Sequence, residues 1–489
     1  MTLIATRSIT ELLAVFFVTV GVILLLAAQL VNTGSRHELL RHELLRHELL
    51  DERGRHKRPR STDLLDRLVA RSILLTVLAA FAAIYLDVGI SWIGATMIGA
   101  MVTKLTIAEL HRRRENFGAA PLGLRVCAVM PIHNEDPAYA VAGVASMLAQ
   151  TRPLHRIHVV DDGSTDGGAA ADAVRSHLEA SAGSVQWEVT VLAVNVGKRH
   201  ALAHGFRAAV DADVFLCVDS DTVLQPDAVI EGLRPFSDPG VSAVAGLVSA
   251  HNRRRNLLTR LIDLRYVSAF LSERAAYSAF GAVLCCCGSL SFYRAEVVRA
   301  NLDDFLGQYF LGRTATFGDD RRLTNYALRS GKVVLAERSR AATAVPERLS
   351  HYVRQQVRWN KSFFRESLWV LSTFPMRSAA FWLTVSEVAM WVVMGAALVV
   401  AVALYPMLGH VTHVRATVVF VMLAAWARNS AYLEHRREGV RRRDRAFVFA
   451  IAPIYGLLHI FVLVPVRVYA LLTLRQGKWG TRGKVEVRL

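Results

Sequence analysis

Cysteine is scarce in this sequence and its spacing pairs nothing. There are five, Cys127, Cys217 and the run Cys285, Cys286 and Cys287, with no CxxC pair and no histidine at zinc-like spacing beside them. A disulfide framework and a Cys/His zinc site are thereby excluded, and a reducing compartment is suited. The adjacent cysteines read as small apolar residues packed in a buried strand. Acid is also short: 41 Asp and Glu stand against 58 Lys and Arg, a net charge of +17. Such an excess fits nucleic acid, anionic lipid or an anionic small substrate. Nucleic acid is set aside, because the basic residues cluster beside apolar runs rather than interleaving with exposed aromatics.

Long apolar runs are what the chain has in plenty. With 53% hydrophobic residues in 489, it can hold one large domain and a membrane portion. Residues 9–31 are almost continuously apolar and long enough to cross a hydrocarbon core. No small-residue cleavage site follows, so an anchor is expected rather than a removed signal peptide. A second span is expected over 72–103, ending at Lys104 and "HRRR". Between them, "RHELLRHELLRHELL" repeats every five residues. Five residues turn a helix by about 140° beyond a full turn, so its leucines form no single stripe and a low-complexity helical spacer is expected. Apolar runs return over 379–409, 414–433 and 446–474, and the basic loop "EHRREGVRRRDR" should be cytoplasmic. The last run is broken by Pro453, Gly456 and Pro465 and carries Arg467.

From Arg125 to about Val345, short β-rich runs alternate with helical stretches. "RVCAVMPIH", "RIHVVDD", "WEVTVLAV", "DVFLCVDSD" and "VSAVAGLVSA" read as strands of a mostly parallel α/β sheet with crossover helices. Ligands of such sheets bind outside the carboxyl ends of the strands, where the acids fall. "VVDDGSTDG" puts Asp161 and Asp162 at one strand end, and "CVDSDT" puts Asp219 and Asp221 at another. Carboxylates spaced D-x-D can hold a hard divalent cation, which neutralises a diphosphate. "NVGKRHAL" sets Lys198 and Arg199 at a helix start, a natural place for phosphate. "FGDDRRLTNYAL" adds Asp319 and Asp320 before another helix, where a simple cap accounts for one carboxylate only. In "QQVRWNKSFFRE", Gln355, Arg358 and Trp359 share one helical face. A basic helix lying on a bilayer is the plain reading of that stretch alone.

Taken in order, PxxNE (Pro131, Asn134, Glu135), DDGS, GKR, DSD, GDD and QxxRW resemble the processive, membrane-embedded family 2 glycosyltransferases. The group includes cellulose, chitin and hyaluronan synthases. "CCCGSLSFYR", "GDDRRLTNYA", "QQVRWNKSFFRES" and the tail "PIYGLLHIFVLVPVRVYALLTL" leading into "KWGTR" are most similar to the hyaluronan synthases. Ser289 departs from the proline usual there, and the pentad repeat has no family counterpart.

The resemblance implies a GT-A domain, a Rossmann-like mixed sheet, lying in the cytoplasm between N- and C-terminal transmembrane helices. The parts would be a membrane region over 1–118, the catalytic domain over 119–345 and interface helices with QxxRW over 346–378. A transmembrane region over 379–474 and a gating tail over 475–489 would follow. It further implies that Asp161 and Asp162 hold uridine, and that Asp219 and Asp221 bind the sugar diphosphate and Mg²⁺ or Mn²⁺. Lys198 would touch the diphosphate, Asp320 of GDD would be the general base, and Trp479 and Arg482 would close over the nucleotide. Gln355, Arg358 and Trp359 would line the acceptor site, the indole carrying the terminal sugar. The implied reaction is inverting, processive transfer from UDP-GlcNAc and UDP-GlcA to a growing β-linked polysaccharide, with export across the bilayer of the cell membrane. A chitin-oligosaccharide-type or other β-glycan synthase using one UDP-sugar is the alternative within the class. A non-catalytic transporter or lipid-binding scaffold would have no use for Asp219, Asp221 and Asp320 together.

Because UDP-sugars are cytoplasmic, an even number of crossings should precede the catalytic domain, which two N-terminal spans supply. If 446–474 crossed once, "WGTR" would end outside, so that run is expected to dip in and return or to form two short tilted passes. Residues 36–60 fall on the outer side against the positive-inside bias, eased by their balancing acids and the length of the loop.

Overall fold

The structure is a computed structural model describing residues 92–114, 117–315, 317–409, 411–437 and 439–476. The expected span over 9–31, the pentad repeat, most of the second span and the tail with Trp479 and Arg482 lie outside the described residues. Two compact units emerge. One gathers Met1–Glu115, Leu271–Ala276 and Met390–Leu457; the other gathers Asn116–Phe270, Tyr277–Ala389 and Leu458–Leu489.

The second unit is built on an eight-stranded sheet ordered β3-β2-β1-β4-β7-β6-β10-β5. Its strands are β1 (Val126–Ile132), β2 (Arg156–Asp161), β3 (Gln186–Val191), β4 (Val214–Cys217), β5 (Thr222–Leu224), β6 (Val241–Ala250) and β7 (Ser291–Arg294). A small hairpin of β8 (Tyr309–Phe310) and β9 (Arg313–Thr314) precedes β10 (Lys332–Thr343). β1 to β4 pair in parallel, whereas β7 runs antiparallel to β4 and β6, and β5 antiparallel to β10. β1 and β6 are buried along their whole length, which is why both read as unbroken apolar runs rather than alternating ones. The five strands expected from sequence are all present. β5 and β7 are too short to show a period, and β10 carries Lys332, Glu337, Arg338 and Arg340.

Register decides where the acids meet. Ile132 at the end of β1 pairs with Asp161 at the end of β2, and Val129 pairs with Cys217 at the end of β4. Three parallel strands therefore release their following loops at one edge of the sheet. Helices α1 (Pro137–Leu148), α2 (Ala169–Ser181) and α3 (Lys198–Ala208) start from loops at that edge or return from it. Asp136 caps α1 by accepting from the Ala138 amide at 2.9 Å, with Pro137 preset in the first turn. Beyond α4 (Leu257–Ser268), the chain forms α5 (Asp319–Ser330) and the 25-residue α6 (Leu349–Thr373).

The three adjacent cysteines correct one expectation. They occupy a loop ahead of β7, and only Cys286 is buried; Gly288, next in sequence, breaks any strand there.

Among the described residues, two helices are long and apolar enough to cross a membrane, Ala379–Val399 and the 31-residue Arg442–Leu472. The second is built from consecutive helical pieces. It runs through Arg442–Ala450, Ala452–Leu458, a π-helical turn at His459–Leu463 and Val464–Leu472. Pro453 and Pro465 each stand in the first turn of a helical piece, where a missing N–H costs little, so they bend the path without ending it. The helix Trp92–Arg114 continues past Thr103 to Arg114. Within its unit, Arg112 meets Glu434 at 3.6 Å and Arg428 pairs with Glu273.

Candidate active site

Asp161 and Asp162 end β2 fully buried, and each is tied to a different loop. Asp161 Oδ1 accepts from the Ser164 amide at 2.9 Å, while its Oδ2 is buried with no partner among the described residues. Asp162 accepts from the Val196 and Gly197 amides at 2.8 and 2.9 Å, so its carboxylate clamps the loop that opens α3. Burial nevertheless pushes the Asp162 carboxyl above its ordinary range. Asn134, in the left-handed region at φ 47°, braces the same turn by accepting from the Thr165 amide at 2.8 Å. Of the two acids, Asp161 is the one with a carboxylate oxygen left unpartnered among the described residues.

Lys198 opens α3 and its ammonium pairs with Asp219 Oδ1. Burial works against that charge, yet the Asp219 carboxylate raises the lysine well above its ordinary value. Ser289 donates to Asp219 Oδ2 at 2.8 Å, and Thr343 at the end of β10 donates to Asp221 Oδ1 at 2.8 Å. Gly288 makes this approach possible, since a Cβ there would stand 3.0 Å from Asp219 Oδ1 and 3.1 Å from Lys198 Nζ. Ser220, between the two acids, donates to buried Glu135 at 2.7 Å. Glu135 thus holds the D-x-D turn from β1's own loop, a role its place in PxxNE does not announce.

No group of three or more His, Cys, Asp or Glu side chains among the described residues forms a metal cage. Two carboxylates one residue apart are instead what Mg²⁺ or Mn²⁺ uses when substrate phosphates and water complete an octahedral shell. The donor set therefore fits a divalent cation that arrives with a diphosphate.

The two GDD acids part company. Asp319 is 6% exposed and its Oδ1 accepts from Arg199 Nε at 2.9 Å. It is not open to an acceptor. Arg199 is itself 3% exposed and points inward, so it does not share phosphate with Lys198 as the sequence suggested. Asp320 faces the other way, within the field of Lys198 and with Cys285 Sγ 3.6 Å from its Oδ2. Burial raises its carboxyl above the ordinary range, against the pull of Arg321 and Lys198, a direction that suits a general base.

Helix α6 carries Gln355, Arg358 and Trp359 on one face. Trp359 is 45% exposed, and its ring lies 6.1 Å from that of Tyr266 on α4; Gln355 Oε1 is buried without a partner among the described residues. One to two turns further along, the same helix docks on α5. Glu366 accepts from Arg322 Nε at 2.8 Å and from Asn325 at 3.2 Å, and Arg365 donates to the Phe317 carbonyl. Lys361 reaches the Gln476 carbonyl at 3.0 Å, immediately before the tail.

Residues 127–302 match the family described as glycosyl transferase family 2. A hyaluronan synthase of Streptococcus pyogenes is 40% identical over 405 residues, covering 81% of this chain and 91% of its own. An N-acetylglucosaminyltransferase of Rhizobium leguminosarum bv. viciae is 35% identical over 379 residues, covering 74% and 82%. Among solved structures, the mannosyltransferase PcManGT from Pyrobaculum calidifontis, in complex with GDP-Man and Mn²⁺, superposes with a TM-score of 0.50 at 18% identity. It covers 79% of this chain and 99% of that one, a likeness that carries the GT-A fold alone. With a mixed sheet of the GT-A kind and relatives matched over most of both lengths, the chain belongs to the hyaluronan synthases of glycosyltransferase family 2.

Proposed function

We propose that this chain polymerises hyaluronan by inverting transfer of GlcNAc and GlcA from their UDP-sugars, and passes the product across the bilayer. The observation that carries the reading is the convergence of Lys198, Asp219 and Asp320 at one end of the sheet. Asp161 accepts from the uracil through its unpartnered Oδ2, and Lys198 turns from Asp219 to the diphosphate. Asp219 and Asp221 would hold Mg²⁺ or Mn²⁺, which would supply charge neutralisation for the departing UDP. Asp320 takes the proton from the acceptor hydroxyl as that oxygen bonds to the anomeric carbon and the bond from that carbon to the phosphate oxygen breaks. One base and one stabilised leaving group suffice, with no covalent intermediate. Trp359 supports the terminal sugar, with Gln355 and Arg358 facing the donor phosphates, and Trp479 and Arg482 close over the nucleotide. The helices Ala379–Val399 and Arg442–Leu472 anchor the catalytic unit to the cell membrane on its cytoplasmic face, where UDP-sugars are found.

The relative that is an N-acetylglucosaminyltransferase keeps a single-donor β-glycan synthase as the second reading. Purified, lipid-reconstituted protein given UDP-GlcNAc and UDP-GlcA singly and together, with Mg²⁺ or Mn²⁺, separates the two. Long polymer is expected only from both donors, digestible by hyaluronidase and abolished by excess chelator. Long polymer from UDP-GlcNAc alone would establish the single-donor reading, and full activity in chelator would remove the cation from the mechanism.

A further inference from the structure

Lys198 and Arg199 are consecutive in sequence and do opposite things. The first turns to the open site. The second goes under it, with Nη1 donating to the Ala315 carbonyl at 2.8 Å, Nη2 to the Phe317 carbonyl at 3.3 Å and Nε to Asp319 at 2.9 Å. Its guanidinium lies 5.2 Å from the centre of the Phe305 ring. The three hydrogen bonds all fall on the stretch that delivers Asp320. From the other side Arg365 of α6 donates to the same Phe317 carbonyl, and Arg365 is in turn held by Glu366 at 3.0 Å. One carbonyl, three residues ahead of Asp320, thus receives a guanidinium from the helix that carries the diphosphate lysine and another from the helix that carries Trp359.

We infer that Arg199 is a positioning residue: it fastens Asp320 at a set place relative to the donor diphosphate, while Arg365 fastens it relative to the acceptor helix. The inference rests on Asp320 being the general base. The planar guanidinium fork is what permits three acceptors at once, and an ammonium does not reproduce it. Both arginines are buried beside carboxylates, so the turn cannot slide without parting an ion pair in a low-dielectric setting, which is strongly disfavoured. A displaced base costs turnover without touching donor affinity, because Asp161, Asp162 and Lys198 are unaffected.

The test compares Arg199→Lys, the double variant Arg199→Gln/Asp319→Asn and Asp320→Asn in the full-length, lipid-reconstituted protein. Donor KM, kcat, calorimetric UDP affinity and thermal midpoint are measured for each. Arg199→Lys keeps the charge opposite Asp319 and should hold the midpoint and UDP affinity, yet lose about tenfold to a hundredfold in kcat, the range expected of an ångström-scale misplacement. The double variant removes the buried charges together, and kcat should stay low in it even where the midpoint is restored. Unchanged kcat in Arg199→Lys, or kcat recovering with stability in the double variant, would show a merely structural arginine. UDP affinity falling in step with kcat would place Arg199 at the donor instead and overturn the inference. Activity surviving in Asp320→Asn would sink the base assignment itself, whatever the arginine variants do.

Discussion

Asp320 and Asp319 are neighbours with the same side chain and unlike tasks. Arg199 neutralises one, and the other is left in a buried setting that raises its carboxyl. A raised carboxyl means that, between the ordinary aspartate value and the value in the fold, the unfolded chain has already released the proton that the native protein retains. Stability therefore falls as pH rises through that window, and the penalty is complete above Asp320's own pKa. Asp320→Asn should accordingly lose transfer by about 10²–10⁴-fold, the usual worth of a general base. Its thermal midpoint should match the parent in acid and exceed it at neutral pH. A variant less stable than the parent at neutral pH would contradict a carboxyl raised by its surroundings.

At the level of elements, the decisive joint is between α5 and α6. Gly318 precedes α5 at φ 87°, a region that favours glycine. A Cβ there would come 2.2 Å from Ser362 Oγ and 2.7 Å from Arg365 Nη2, both on α6. The glycine of GDD is thus explained twice, by its own conformation and by the helix pressed against it. Gly318→Ala should cost about 1–3 kcal/mol from backbone strain alone and part Arg365 from the Phe317 carbonyl. A lowered midpoint with a larger loss in kcat than in UDP affinity is the expected pattern; a variant matching the parent in both would deny that the helices meet so closely.

Across the catalytic unit, α6 joins acceptor chemistry to the start of an apolar span. Val370 and Phe374 near its end pack with Ala282 and with Ala380 at the start of Ala379–Val399, with Trp369 and Phe381 around them. A helix tied to α5 through Glu366 and to a candidate membrane helix through Val370 and Phe374 is suited to present a sugar platform where a polymer leaves. Loss of an aromatic contact is worth on the order of 1–3 kcal/mol, or about tenfold to a hundredfold. Trp359→Ala should therefore collapse polymer synthesis while hydrolysis of UDP-GlcNAc, in which water replaces the sugar, persists in part. Undiminished polymer from that variant would return Trp359 to the plain role of an interfacial aromatic.

Much of this architecture is local and was legible. β6 occupies the ten residues of "VSAVAGLVSA" because a strand buried on both faces takes mainly apolar and small residues, and DDGS and DSD stand at strand ends because acids and glycine stop such runs. The two long apolar helices Ala379–Val399 and Arg442–Leu472 follow from length and hydropathy in the same way. What the linear pattern did not contain is how side chains pair over distance. Arg199 meets Asp319 across 120 positions and Glu135 meets Ser220 across 85. Before the chain is folded, "GKR" shows two equivalent cations, "GDD" two equivalent acids and "CCC" three equivalent thiols. Only the tertiary path buries Cys286 alone of the thiols, and Arg199 and Asp319 beside each other, while leaving Lys198 and Asp320 in the site, because the cost of desolvating a charge depends on what the rest of the chain places around it.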